Sequence, residues 1–135
     1  MEFVIPLKEE ASAYNDWELR YALRSIERHY GNPTIWIVTG RKREWLQDVK
    51  WIRCEDGKQR GENVYHKIIA ACNCPDVSDP FILMWDDIYF VEHENIRHYY
   101  MGKLEQKIQG NTKYSQMVKK SIAMSADGLD YDCHT

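Results

Sequence analysis

The chain's 135 residues suit one domain with a buried core, and 44% hydrophobic with 29% charged residues is ordinary for a folded globular protein. A formal net charge of −3 argues against broad nucleic-acid binding, although Arg41-Lys42-Arg43, Lys58 with Arg60, and Lys119-Lys120 are local basic groups. No apolar run approaches membrane-spanning length, the amino terminus lacks a signal-peptide pattern, and four cysteines do not demand disulfides. A reduced, cytoplasmic protein without a membrane span is therefore expected. Cys72-Asn73-Cys74 has no second pair to complete a zinc site.

In chain order, Phe3-Val4-Ile5-Pro6 reads as a short strand stopped by proline. Asn15-Asp16-Trp17-Glu18 has a cap-type residue three before a glutamate, a helix-start signature. Leu19, Ala22, Leu23, Ile26 and Tyr30 then repeat as one apolar helical face, ended by Gly31-Asn32-Pro33. Thr34-Ile35-Trp36-Ile37-Val38, closed by Thr39-Gly40, is a second strand. Residues 49–54 form an expected third strand, interrupted by basic residues, and 55–61 a polar loop. Val64, Ile68, Ile69 and Cys72 mark the inner face of a second helix.

Phe81-Ile82-Leu83-Met84-Trp85 is the most apolar run and predicts a buried central strand of a mainly parallel sheet. In the last third, residues 99–108 read as helical. A final helix follows, capped by Asn111 or Thr112, with Tyr114, Met117, Val118 and Ile122 inward and a stop near Gly128. The order β-α-β-β-α-β argues for one α/β domain over residues 1–135, with ligands at strand ends.

Asp86-Asp87 sits where such a ligand would bind. Two charges after an apolar strand are costly to bury unpaired, and a strand end that opens into a crevice leaves them accessible. Hard carboxylate oxygens suit Mg²⁺ or Mn²⁺, ions that usually arrive with phosphates. The plain alternative is a solvated turn joining Trp85 to Ile88-Tyr89-Phe90.

Several segments, in order, resemble Stealth-type capsule sugar-phosphate transferases and related glycosyltransferase-like proteins. Residues 15–27, Asn-Asp-Trp-Glu-Leu-Arg-Tyr-Ala-Leu-Arg-Ser-Ile-Glu, are similar to that family's N-D-x-E-L-R-Y-x-L-R-S-I-E segment. Ile35 to Gly40 with Glu44-Trp45-Leu46, Trp85-Asp86-Asp87-Ile88-Tyr89-Phe90, and the ending Asp130-Tyr131-Asp132-Cys133-His134-Thr135 look like further family elements. The resemblance implies a GT-A-like (Rossmann-like) sheet flanked by helices, a nucleotide-diphospho-sugar transferase-like domain in minimal or truncated form. Trp85 stands where relatives often have Asn, and blocks present in Stealth proteins are missing.

By position, the resemblance implies that Asp86, Asp87 and His134 hold Mn²⁺ or Mg²⁺ on the diphosphate of a nucleotide-sugar donor. It places Pro6 near the base, offers Asp56 for a ribose hydroxyl or base, and offers Asn63 and Lys67 for phosphate. Plainer readings stand beside these: an exposed loop aspartate at 56, an N-cap at 63 and a solvated lysine at 67. His29, His66, His93 and His98 lack any ligand-like pattern. The implied activity is metal-dependent transfer of a glycosyl or sugar-phosphate group to a glycan or other hydroxyl acceptor. The rival is a non-catalytic nucleotide-sugar or glycan-binding module of the same fold. No catalytic residue is assigned.

Overall fold

Phe3-Val4-Ile5 and Ile35-Trp36-Ile37-Val38 are apolar on both faces of an extended chain, so each must be covered on both sides. In the computed structural model they form β1 (Glu2–Pro6) and β2 (Thr34–Thr39) at the centre of a four-stranded sheet. The two pair in parallel, with Phe3 opposite Ile35 and Ile5 opposite Ile37. β3 (Lys50–Arg53) joins β2 and β4 (Ile82–Leu83) joins β1, both parallel, giving the order β3-β2-β1-β4. The structure describes residues 1–58, 60–96, 100–103, 108–124 and 132–134, in two units, Met1–Glu94 and Asn95–Thr135.

Helices cover the two faces of the sheet in the first unit. α1 (Ala13–Tyr30) lays Leu19, Ala22 and Ile26 on Phe3, Ile5, Ile35 and Ile37. On the other face Ala71 of α2 (Arg60–Cys72) packs with Val4, Trp36 and Val38. Alternate residues of β1 and β2 thus feed two separate cores, as a sheet wound with helices on both sides requires.

The 81–85 run departs from expectation. Only Ile82-Leu83 is strand, and β4 is an edge of the sheet among the described residues, with Leu83 40% and Trp85 38% exposed. Pro80 and Asp86 bound the run, and its apolar residues are divided. Met84 joins the α1-side core and donates its N–H to Val4 O at 3.0 Å, while Phe81 packs on the α2 side. The central place belongs to β1.

The start of α1 also differs. Tyr14, Asn15 and Asp16 all have positive φ (56°, 57° and 59°), a conformation costing L-residues roughly 1–2 kcal/mol each. Asp16 faces backward: its Oδ1 accepts the Ser12 N–H at 2.7 Å. The buried stripe of α2 includes Lys67 and Ala71, whereas Ile69 and Cys72 are exposed. Lys67, outside the expected apolar face, is buried there because it has an internal carboxylate partner, described below.

In the second unit β5 (Tyr100–Lys103) pairs antiparallel with β6 (Asp132–His134), so residues 100–103 are strand where helix was expected; 97–99, 104–107 and 125–131 lie outside the described residues. α3 (Lys113–Met124) is capped by Thr112, whose Oγ1 accepts the Ser115 N–H at 3.1 Å. Its buried residues include Ser115 and Val118, while Tyr114 and Met117 face solvent. Ser115 is tolerated inside because its hydroxyl donates to Gln109 O at 2.9 Å and accepts from Gln109 N at 3.1 Å. No described helix is long and apolar enough to cross a membrane.

Candidate functional site

Parallel strands end on the same edge of their sheet. Pro6 closes β1, Asp56 follows β3 by three residues, and Asp86-Asp87 follows β4 by three. With Asn63 and Lys67 from α2, these six line one cleft of about 680 Å³ beside Leu7, Lys8, Glu18 and Trp85. Six of the seven expected site residues therefore meet in one place. His134 belongs to the second unit, in β6, with its backbone opposite Tyr100.

One wall is ion-paired and rigid. Lys67 Nζ donates to Asp56 Oδ1, with the lysine only 2% exposed, so the solvated-lysine alternative is overturned. Asp56 Oδ2 accepts the Glu9 N–H at 2.9 Å, and Glu9 Oε2 accepts the Asp56 N–H at 3.2 Å. This reciprocal pair ties the β1–α1 connection to the β3–α2 connection. Burial pushes the Asp56 carboxyl up, but the Glu9 N–H and the Lys67 ammonium outweigh it and hold the group below its ordinary range. Asn63 lies inside α2, not at its cap, and its Oδ1 accepts the Gly57 N–H at 2.6 Å.

The opposite wall is acidic. Burial pushes the Asp86 carboxyl up, and the charges of Asp87, Glu18 and Asp16 add to this against a lowering contact from Asp86's own backbone. Among the described residues neither Asp86 nor Asp87 forms an ion pair. No group of three His, Cys, Asp or Glu among the described residues is gathered closely enough to hold a metal by itself. Two adjacent carboxylates still fit Mg²⁺ or Mn²⁺, since Mg²⁺ is usually held by one or two carboxylates, with waters and substrate phosphates supplying the rest.

Sequence reasoning missed Glu18 and Arg43. Glu18 read as a capping residue, yet it lines the cleft. Arg43 read as part of a solvated basic run, yet it is 7% exposed and lies in the buried base of the neighbouring loops. Its Nε donates to Asp16 Oδ2 at 2.7 Å, Nη2 to Lys8 O at 2.9 Å, and Nη1 to Glu9 O and Arg41 O. A position just beyond the carboxyl end of β2 was the available signal for Arg43.

No family model matches the chain, and neither the curated proteins nor the solved structures contain a match to it.

Proposed function

We propose that this chain is a metal-assisted transferase domain that takes a nucleotide-sugar donor and moves its glycosyl or sugar-phosphate group to a hydroxyl acceptor. The observation that carries this reading is the single cleft at the carboxyl ends of parallel strands, with unpaired carboxylates on one wall and Asp56, Asn63 and Lys67 on the other. Its volume falls within the roughly 300–1,000 Å³ usual for small-molecule sites.

Asp86 and Asp87 would hold Mg²⁺ or Mn²⁺, with waters and donor phosphate oxygens supplying the remaining ligands. When bound, the ion neutralises charge gathering on the leaving nucleotide diphosphate. Pro6 and Asp56 flank the donor's nucleoside. Lys67 fixes the Asp56 carboxylate and adds positive potential on the phosphate side, and Asn63 holds the loop at Gly57 that borders the same wall.

The test is a titration with a panel of nucleotide sugars, with and without Mn²⁺, followed by a search for turnover. Mn²⁺-dependent binding should vanish in Asp87→Ala while unfolding free energy stays within about 1 kcal/mol of wild type, as for an accessible site residue. Binding without turnover would assign the chain to the non-catalytic nucleotide-sugar or glycan-binding module instead. Absence of nucleotide-sugar binding would sink the transferase and leave only a glycan-binding module.

A further inference from the structure

The outward side of α1 carries Trp17, Tyr21, Arg24 and Arg28 at i, i+4, i+7 and i+11, opposite the stripe that packs on the sheet. Trp17 is 55% and Tyr21 49% exposed, and across from them Tyr89 is 45% exposed. Large rings on a helix normally turn inward, so three together in solvent mark a surface with a use.

Their rings pack against one another, and the Arg24 guanidinium lies over the Tyr21 ring, 5.9 Å from its centroid. Trp17 and Tyr21 meet edge to face at 5.8 Å, and Tyr21 and Tyr89 at 6.4 Å with planes 84° apart. Tyr21 and Tyr89 thus stand as two walls at a near right angle. They border a groove of about 630 Å³ that also includes Arg24, Arg28, His29 and Val91. Its floor is fixed, because Ser25 Oγ accepts the Phe90 N–H at 3.1 Å and donates to Ala22 O at 2.7 Å. Neither Arg24 nor Arg28 forms an ion pair among the described residues.

We propose that this groove is the acceptor site and holds an acidic carbohydrate, with a sugar ring stacked on Tyr21 and Tyr89 and its anionic group at Arg24 and Arg28. The assignment of an acceptor role rests on the transferase reading. A pyranose offers an apolar C–H face to an aromatic ring and hydroxyls at its edge. An arginine fork matches carboxylate or phosphate oxygens. The groove's apolar surface is mainly aromatic, with Val91 the one aliphatic residue among its described lining, which suits stacking of a sugar's C–H face beside two arginines. The groove and the cleft are lined by neighbouring stretches of chain: Tyr89 stands two residues from Asp87, and Tyr21 three from Glu18.

The experiment uses the whole chain without donor or metal on an array of acidic oligosaccharides (uronate, sialylated and phosphorylated) and neutral ones, with calorimetry on the hits. Acidic glycans should bind saturably, and Tyr21→Ala and Arg28→Ala should each weaken binding at least about tenfold. Both variants should keep the wild-type melting curve and wild-type binding of nucleotide sugars with Mn²⁺, since neither residue lines the cleft. No array binding, or glycan binding unchanged in Tyr21→Ala, overturns the proposal. Neutral glycans binding as tightly as acidic ones overturns the role given to Arg24 and Arg28. Self-association that Tyr21→Ala abolishes assigns the face to a second copy of the chain and also overturns it. Glycan binding retained without any nucleotide-sugar binding would sink the transferase reading while leaving the carbohydrate site standing.

Discussion

Arg43 Nε donates to Asp16 Oδ2 at 2.7 Å, and both side chains are closed off from water at 7% and 1% exposure. Asp16 belongs to the left-handed opening of α1 and Arg43 to the loop beyond β2, so the pair ties together two connections that the chain separates by 27 residues. The remaining guanidinium bonds go to the carbonyls of Lys8, Glu9 and Arg41, which leaves little desolvation uncompensated. The same pair explains how three consecutive positive-φ residues are tolerated: the conformation aims the Asp16 carboxylate at Arg43 and Ser12 together.

Arg43→Met should therefore destabilise the fold by about 3–5 kcal/mol, the usual cost of leaving a buried ion without its partner. Urea unfolding measures it. Arg43→Lys should recover little, because an ammonium cannot reproduce a fork that reaches one carboxylate and three carbonyls. The double variant Arg43→Met with Asp16→Asn should lose less than the sum of the two single losses.

Gly40 follows β2 and lies against Glu9. A Cβ there would lie 2.5 Å from Glu9 Cδ and 2.8 Å from Glu9 Cγ, well inside contact distance. The Glu9 carboxylate would have to move, and the Asp56 N–H would lose its acceptor. Gly40→Ala should cost about 1–3 kcal/mol, the range for overpacking, and should weaken ligand binding in the cleft as the Glu9–Asp56 link opens. Gly40→Ala combined with Glu9→Ala should recover most of the stability, by removing the clashing side chain. A fully stable single variant would show that Glu9 does not fix this wall.

The central strands and the inner face of α1 were legible because apolar runs and 3.6-residue spacing report burial directly. The rank of the strands was not. An apolar five-residue run at 81–85 fits an edge strand covered from within as well as a central one, and composition does not say which neighbours a strand acquires. The cleft residues Pro6, Asp56, Asn63, Lys67, Asp86 and Asp87 were legible because parallel strands send their following residues to a common edge. Buried charges were not legible. Lys67 and Arg43 look like surface residues until Asp56 and Asp16, distant in sequence, arrive beside them. The aromatic stripe of α1 was hidden for a different reason, since Trp17 and Tyr21 would ordinarily count toward a core.

Asp56 makes stability sensitive to acid. Its folded carboxyl lies below the ordinary value of 3.8, so its contribution is fully present above pH 3.8 and is lost as pH falls through the lower folded value. Asp56→Asn should abolish that part of the acid dependence. At neutral pH it should also cost about 3 kcal/mol, because the Lys67 ammonium stays buried without its counter-charge. Lys67→Met with Asp56→Asn should be closer to wild type than Asp56→Asn alone. Unfolding midpoints between pH 2.5 and 7 (~4 points suffice to define the trend) read all three effects.

Asp86 works in the opposite direction. Its folded carboxyl is raised, by burial first and then by Asp87, Glu18 and Asp16. The ionised form therefore costs stability at pH above the folded value, and that cost disappears as pH falls below 3.8, where the group is protonated in both states. Asp86→Asn should raise the urea midpoint of the metal-free protein at pH 7, with the advantage fading toward pH 3.5 (~0.3 units below the ordinary aspartate value). A residue kept at such a cost is expected where function requires the charge. Mn²⁺ should accordingly stabilise wild type, by about 2.7 kcal/mol when free metal is a hundred times its dissociation constant, and leave Asp86→Asn unmoved. An Asp86→Asn variant less stable than wild type at pH 7 would make the side chain a structural cap of the turn after β4. Equal Mn²⁺ stabilisation of variant and wild type would remove Asp86 from the metal site.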